Sequence, residues 1–328
     1  MKSLSAWQAA LLRWGGSLLA PGGSGGSLLV LIYHRVLPQA DPLLASEPDA
    51  ATFAAQMDLV QSLCRVLPLT EAIERLLSGS LPPRAACITL DDGYANNLTV
   101  AAPILAQRRL PATVFVATGF IGGGCMWNDV VIEGLRRAGT TLDLTRLGLR
   151  SYQLESDAAR RSALAEILDA LRYRSRAERD AGAAAVAERA GCTALPGPMM
   201  NEAQIRQLRS FGIEVGAHTI THPILLRTDP KSAREEVLGS RRTLEDITGE
   251  TVRSFAYPNG RPGRDYDRSH VELVREAGFT VAVSTAWGAA GRSVDRLQVP
   301  RALPWDSTPA RFAARLLRTY RQQRVAAA

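Results

Sequence analysis

Seven short apolar runs recur along the chain, at 27–34, 85–90, 112–117, 213–217, 254–257, 279–284 and 297–299, and each reads as a strand. Several are continuously apolar, the pattern of parallel strands buried on both faces rather than of strands with one wet side. Helical patterns at 52–64, 96–108, 202–208, 232–248 and 269–277 separate them. Strand–helix alternation of this period specifies an α/β domain. About seven strands favour a barrel over a small open sheet, although the pattern alone does not close it. The length of 328 residues suits one large domain or two ordinary ones. With 46% hydrophobic and 22% charged residues, wholesale disorder is excluded. The four cysteines (Cys64, Cys87, Cys125, Cys192) share no close spacing, which argues against a disulfide framework or a cysteine zinc site. A net charge of +7 does not by itself make a nucleic-acid binder, and none is expected as a partner.

Three segments stand apart from the alternation. Residues 128–200 carry almost no strand signal and a long Ala/Arg/Glu-rich stretch at 155–189, ending at Pro196-Gly197-Pro198. They read as a helical insertion with a solvated charged face, placed to act as a lid. Residues 1–26 start Leu- and Ala-rich, but Gln8, Arg13 and the Gly15-Gly16-Ser17 break leave no apolar core for a signal peptide. Leu4, Trp7, Leu11, Trp14 and Leu18 instead form a helical stripe before a Gly/Ser linker at 22–26. Residues 308–328 hold five arginines (311, 315, 318, 321, 324) without an acid, opposite Phe312, Leu316, Leu317 and Tyr320. Each terminal helix either packs on the body or lies on an anionic membrane surface. The domain of interest is therefore 27–307.

Only four histidines occur, so their placement is informative. His218 and His222 follow a predicted strand, and a spacing of four puts both imidazoles on one side of a turn, able to share a metal. Asp91-Asp92-Gly93 ends the strand at 85–90, where adjacent carboxylates repel unless a charge offsets them; a plain turn or helix cap is the bland alternative. In a barrel, strand ends converge on one face. One Asp and two His make a three-ligand site with positions left open for water, and the second Asp is free to act as a base.

These residues carry a resemblance. Leu90–Gly93 resembles the TFDDG motif of the polysaccharide deacetylase (NodB-homology) family, carbohydrate esterase family four. Residues 218–222 resemble its H-[ST]-x-x-H motif, and Phe255-Ala256-Tyr257-Pro258-Asn259-Gly260 its third, proline-containing motif. The resemblance implies a distorted (β/α) barrel and metal-dependent removal of acetyl groups, N-acetyl foremost, from a bacterial surface or exported polysaccharide or a glycan precursor. It implies one divalent ion, zinc with cobalt or nickel as alternatives, held by Asp92, His218 and His222. Asp91 becomes the general base for the attacking water, and the N–H of Asn259, after Pro258, the oxyanion donor.

Two departures from the family follow. The third motif's supporting arginine aligns with Ala256, leaving only the distant Arg253. The usual C-terminal acid histidine is missing, because none follows His270, which reads as surface. His34, in Tyr33-His34 at the end of the first strand, is the best replacement, as general acid or substrate-contacting residue; a core-edge histidine bonded to backbone is the bland alternative. Tyr94, Trp127, Tyr257, Trp287 and Trp305 are candidates to line a sugar pocket, and Arg301 either meets an anionic substrate or an acidic neighbour. A non-catalytic carbohydrate-binding member of the same fold is the alternative function. With no export signal, the expected compartment is the cytoplasm, with peripheral contact at the inner membrane.

Overall fold

The computed structural model describes residues 20–303, 308–322 and 328. In chain order its strands are Ser27–Tyr33 (β1), Arg65–Val66 (β2), Ala85–Leu90 (β3), Ala112–Val116 (β4), Thr141–Asp143 (β5), Ser151–Gln153 (β6), Ile213–Ala217 (β7), Ser254–Ala256 (β8), Val281–Trp287 (β9), Ala290–Gly291 (β10) and Val299–Arg301 (β11). The chain forms two units, one of Met1–Gln39, Glu47–Gly119 and Met200–Ala328, the other of Ala40–Ser46 and Phe120–Met199.

In the first unit β1, β3, β4, β7, β8, β9 and β11 pair in that order, all parallel. A bridge between Leu31 and Ala302 returns β11 to β1, with Ile32 N–H donating to Ala302 at 3.1 Å and Ala302 N–H to Val30 at 2.8 Å. The sheet is thus a nearly closed, distorted (β/α) barrel. Every residue of β1, β3 and β4 is buried, as their continuous apolar runs require. Two short strands had no sequence signal: β2 beside the start of β3, and β10, antiparallel to the start of β1. Two residues are too few to show a period.

Helices Ala50–Leu63, Leu69–Ser78, Pro230–Thr248 and Arg268–Glu276 cover the strands. The segment expected as one helix at 96–108 is instead a π turn, Asn97–Ala101, running into Ala102–Gln107. Pro103 lies at the junction, where its missing N–H cannot serve a regular α-turn. The last helix, Pro309–Thr319, buries Phe312, Ala313, Leu316 and Leu317, and the following Tyr320 donates its hydroxyl to the Ala85 carbonyl at 2.9 Å. It closes the fold, so the apolar face that a lipid surface would contact is already covered. The N-terminal stripe at 4–18 lies outside the described residues. Among the described residues no helix is long and apolar enough to cross a membrane.

The second unit holds helices Trp127–Arg137, Asp157–Arg172 and Arg176–Arg189. Its strands β5 and β6 form an antiparallel pair, Leu142 opposite Tyr152, where the sequence predicted helix alone. Three-residue strands leave too short an alternation to detect.

Candidate active site

Because the seven barrel strands are parallel, their C-terminal ends share one face. There β1 delivers His34, β3 Asp91 and Asp92, β7 His218, β8 the segment Tyr257–Asn259, and β11 Arg301. Four non-glycine residues on this face have left-handed backbone: Asp92 (φ 76°), Thr219 (64°), His222 (53°) and Asn259 (56°). Each such residue costs on the order of 1–3 kcal/mol, and such strain persists only where the surroundings enforce it. At Gly93 (φ 86°) the glycine is required twice over, since an added Cβ would also lie 3.0 Å from Val116.

Asp92, His218 and His222 each point one ligand atom into a common space, all within 4.8 Å of one another. Asp92 Oδ1 lies 3.5 Å from Nε2 of both histidines. That is too long for a good hydrogen bond, and this buried oxygen has no hydrogen-bond partner. The Nδ1 of His218 lies 2.7 Å from the Ala256 carbonyl. A carbonyl only accepts, so Nδ1 carries the proton and Nε2 of a neutral ring keeps its lone pair for a cation. Burial pushes the Asp92 carboxyl up, but contact with His218 and the charges of His222 and His34 hold it well below the usual range. Burial likewise disfavours a charged His218, yet Asp92 and then Asp91 raise its pKa. An orphaned buried carboxylate oxygen, the lone pair kept on His218 Nε2, a second imidazole nitrogen from His222 facing the same space and a demand for positive charge fit a divalent cation.

Asp91 is the neighbour with a different environment. Arg301 clamps it bidentately, 2.8 Å to Oδ1 and 2.7 Å to Oδ2. The remaining guanidinium hydrogen bonds reach the Ser284 carbonyl at 2.9 Å and Thr89 Oγ1 at 3.1 Å. Both side chains are almost fully buried. Burial pushes the Asp91 pKa up, and Arg301, then His218 and His34, bring it below the ordinary value, so the carboxylate is ionised. Arg301 offsets the charge of Asp91, which leaves that of Asp92 for a cation.

Arg301 thus meets an acidic neighbour, and its expected role in binding substrate is corrected: a side chain without exposure cannot touch one. Arg301 is thus the arginine that holds Asp91, a contact Ala256 cannot make, whereas Arg253 is exposed. Arg301 lies just beyond the run at 297–299, so no local pattern marked it as the partner of Asp91.

His34 is half-buried, and its charge is among those lowering both carboxylates. Asn97, which the sequence did not single out, donates Nδ2–H to the His34 carbonyl at 2.8 Å and is fully buried. Asn259 is half-buried at the strand end after buried Pro258, with Thr285 Oγ1 donating to its carbonyl at 2.6 Å.

The aromatic candidates separate. Tyr257 is buried and stacked on Tyr266, ring centroids 3.8 Å apart, with Phe255 edge-on to it. Tyr94 is buried beneath the Arg35 guanidinium. Both are core side chains and not sugar platforms, because packing against neighbouring strands and loops consumes their faces. Trp127 opens a helix of the second unit, with Arg179 over its ring. Trp287, half-buried, donates Nε1–H to Gln322 at 2.9 Å and lines a cavity of about 510 Å³ with Arg311, Arg315 and Arg318. Trp305 lies outside the described residues. His270, expected at the surface, is buried between Asp267 (2.7 Å) and the Leu225 carbonyl (3.1 Å), where it helps cap its helix.

Fold and site together define a parallel α/β-barrel protein with an Asp/His/His cluster and a second, arginine-held Asp at the strand ends. The family model for polysaccharide deacetylases matches residues 78–282, and the chain belongs to that family. Two solved structures share the fold. One is the Streptococcus pyogenes deacetylase PplD in complex with acetate, with TM-score 0.59, 18% identity, and 90% of this chain and 99% of that one covered. The other is IcaB from Ammonifex degensii, with TM-score 0.57, 21% identity, and 92% and 98% covered. Among curated proteins, YxkH of Bacillus subtilis, whose assignment as a polysaccharide deacetylase is itself provisional, is 26% identical over 93 residues. That match spans 28% of this chain and 32% of the relative.

Proposed function

We propose that this protein is a metal-dependent hydrolase that removes acetyl groups, N-acetyl foremost, from a bacterial polysaccharide or glycan precursor. The observation that carries this reading is the pairing of two adjacent carboxylates in opposite environments. Asp92 is buried, with an Oδ1 that lacks a hydrogen-bond partner and faces two histidines, while Asp91 is ionised and held by Arg301.

Asp92, His218 and His222 would hold one divalent ion, zinc by the chemistry of two nitrogens and one oxygen, with cobalt or nickel as substitutes. When bound, such an ion polarises the acyl oxygen and lowers the pKa of water. The remaining work belongs to the chain. Asp91 takes the proton of the attacking water, and the fixed grip of Arg301 keeps its carboxylate from turning away. The Asn259 N–H faces the developing oxyanion, and its left-handed backbone is part of how that donor is aimed. His34, across from both carboxylates, donates a proton to the departing amine. The membrane part of the localisation reading now rests on the N-terminal stripe and the outward arginines of the last helix. Recovery of the protein solely in the soluble fraction of lysed cells would end it.

The test is metal content together with acetate release from N-acetylglucosamine oligomers, for wild type, Asp92→Ala and Asp91→Asn. Expected is about one zinc per chain in wild type and none in Asp92→Ala. Asp91→Asn should keep the metal and lose about 10²–10⁴-fold in rate. Metal with no acetate release from any acetylated glycan would instead favour the non-catalytic binding module.

A further inference from the structure

The turn from His218 to His222 is an unfavourable piece of backbone that carries two of the three ligands. Thr219 and His222 are both left-handed, and Thr219 is β-branched, for which that region is a genuine outlier. Something must hold the turn before any cation arrives. On one side the N–H groups of Thr118 and Gly119 donate to the carbonyls of Thr219 (3.0 Å) and Ile220 (2.7 Å). On the other side stands a single acid, Glu236, on the helix Pro230–Thr248.

Glu236 is 9% exposed, and one carboxylate oxygen accepts from two successive backbone N–H groups, Ile220 and Thr221, both at 2.8 Å. Its other oxygen accepts from the Thr221 hydroxyl. Successive N–H groups converging on one anion form a nest, and charge-assisted bonds of this kind are roughly twice as strong as neutral ones. No arginine, lysine or histidine pairs with Glu236 among the described residues, so its charge is met by the turn itself. The helix also comes close at Gly239, where an added Cβ would lie 2.6 Å from Ile220 Cδ1.

We infer that Glu236 is the positioning residue of the metal centre: it clamps the 218–222 turn in the shape that presents His222 opposite Asp92, and so sets cation affinity without touching the cation. The inference rests on reading Asp92, His218 and His222 as a cation site. Outer groups that orient ligands typically control affinity by about 10–100-fold.

The experiment titrates Co²⁺ into the full-length apo protein, reading the cobalt d–d spectrum and competition with a chelator, for wild type, Glu236→Ala, Glu236→Gln and Thr221→Val. Far-UV circular dichroism reports the fold, and Glu235→Gln, at an exposed position one residue away, is the control. Expected is a folded Glu236→Ala that binds Co²⁺ about 10–100-fold more weakly with an altered d–d spectrum, a smaller loss in Glu236→Gln, and no change in the control. A folded Glu236→Ala with wild-type affinity and spectrum overturns the inference. Should that variant not fold, wild-type affinity in both Glu236→Gln and Thr221→Val overturns it equally. A wild type that takes up no Co²⁺ overturns the metal reading and this inference together, so the two failures are distinguishable.

Discussion

Asp91 and Arg301 are a charge pair sealed inside the barrel, and at this scale the consequence is sharp. Removing one member of a buried pair leaves the other uncompensated, at a cost of about 3–5 kcal/mol. Arg301→Leu should therefore lower the urea-unfolding free energy by that order and abolish acetate release. Arg301→Lys keeps the charge but not the fork, and should lose activity while folding more nearly like wild type. If Asp91→Asn is combined with Arg301→Leu, part of the lost stability should return, because no lone charge remains. An Arg301→Leu variant within about 1 kcal/mol of wild type would contradict the pairing. This residue also marks the limit of sequence reading. Asp91, Asp92, His218 and His222 were legible because each short motif sets its own local spacing. The partner of Asp91 sits 210 positions away, with nothing local to announce it.

Among elements, β7 leads into the 218–222 turn and shows how tightly the barrel is filled behind it. A Cβ on Gly216 would lie 2.4 Å from the Phe115 ring and 2.6 Å from Ser254 Oγ. Gly216→Ala should cost about 1–3 kcal/mol by overpacking, measured by denaturation, and Phe115→Leu in the same chain should relieve part of it. On the same strand burial raises the Glu214 pKa, against a hydrogen bond from Thr113 and the charge of Arg253. An acid whose folded pKa lies above its unfolded one binds more protons when folded, so stability falls as pH rises from the ordinary glutamate range through the folded value. Glu214→Gln should thus gain stability over wild type at pH 7, with the difference vanishing at acid pH. A melting-temperature gap that stays constant with pH would refute this. Strand positions were readable from apolar runs, whereas β2, β5, β6 and β10 were not, since two or three residues hold too little pattern. The buried His270 was misjudged for a related reason: helix position is visible in sequence, but the carbonyl of Leu225 that covers its ring is not.

For the whole molecule, the proposed cation site would link binding to folding, because Asp92, His218 and His222 come from β3 and the turn after β7 and meet only in the folded state. At a free cation concentration about 100-fold above its Kd, the stabilisation should be near 2.7 kcal/mol. Calorimetry should show that increase in wild type and its absence in Asp92→Ala. An equal shift in both would mean that the cation binds elsewhere.

The sequence by itself determined the alternation of strands and helices, the Asp-Asp-Gly and His-Thr-x-x-His motifs and their order, because these depend on local spacing and on apolar periodicity. The tertiary structure decided what depends on distant parts of the chain meeting. It closed the barrel through Ala302 and β1, and it turned the apolar side of the last helix inward. It removed Tyr94 and Tyr257 from any surface, and it set Arg301 against Asp91. Burial and pairing are properties of the packed chain, and no stretch of residues read alone contains its own neighbours.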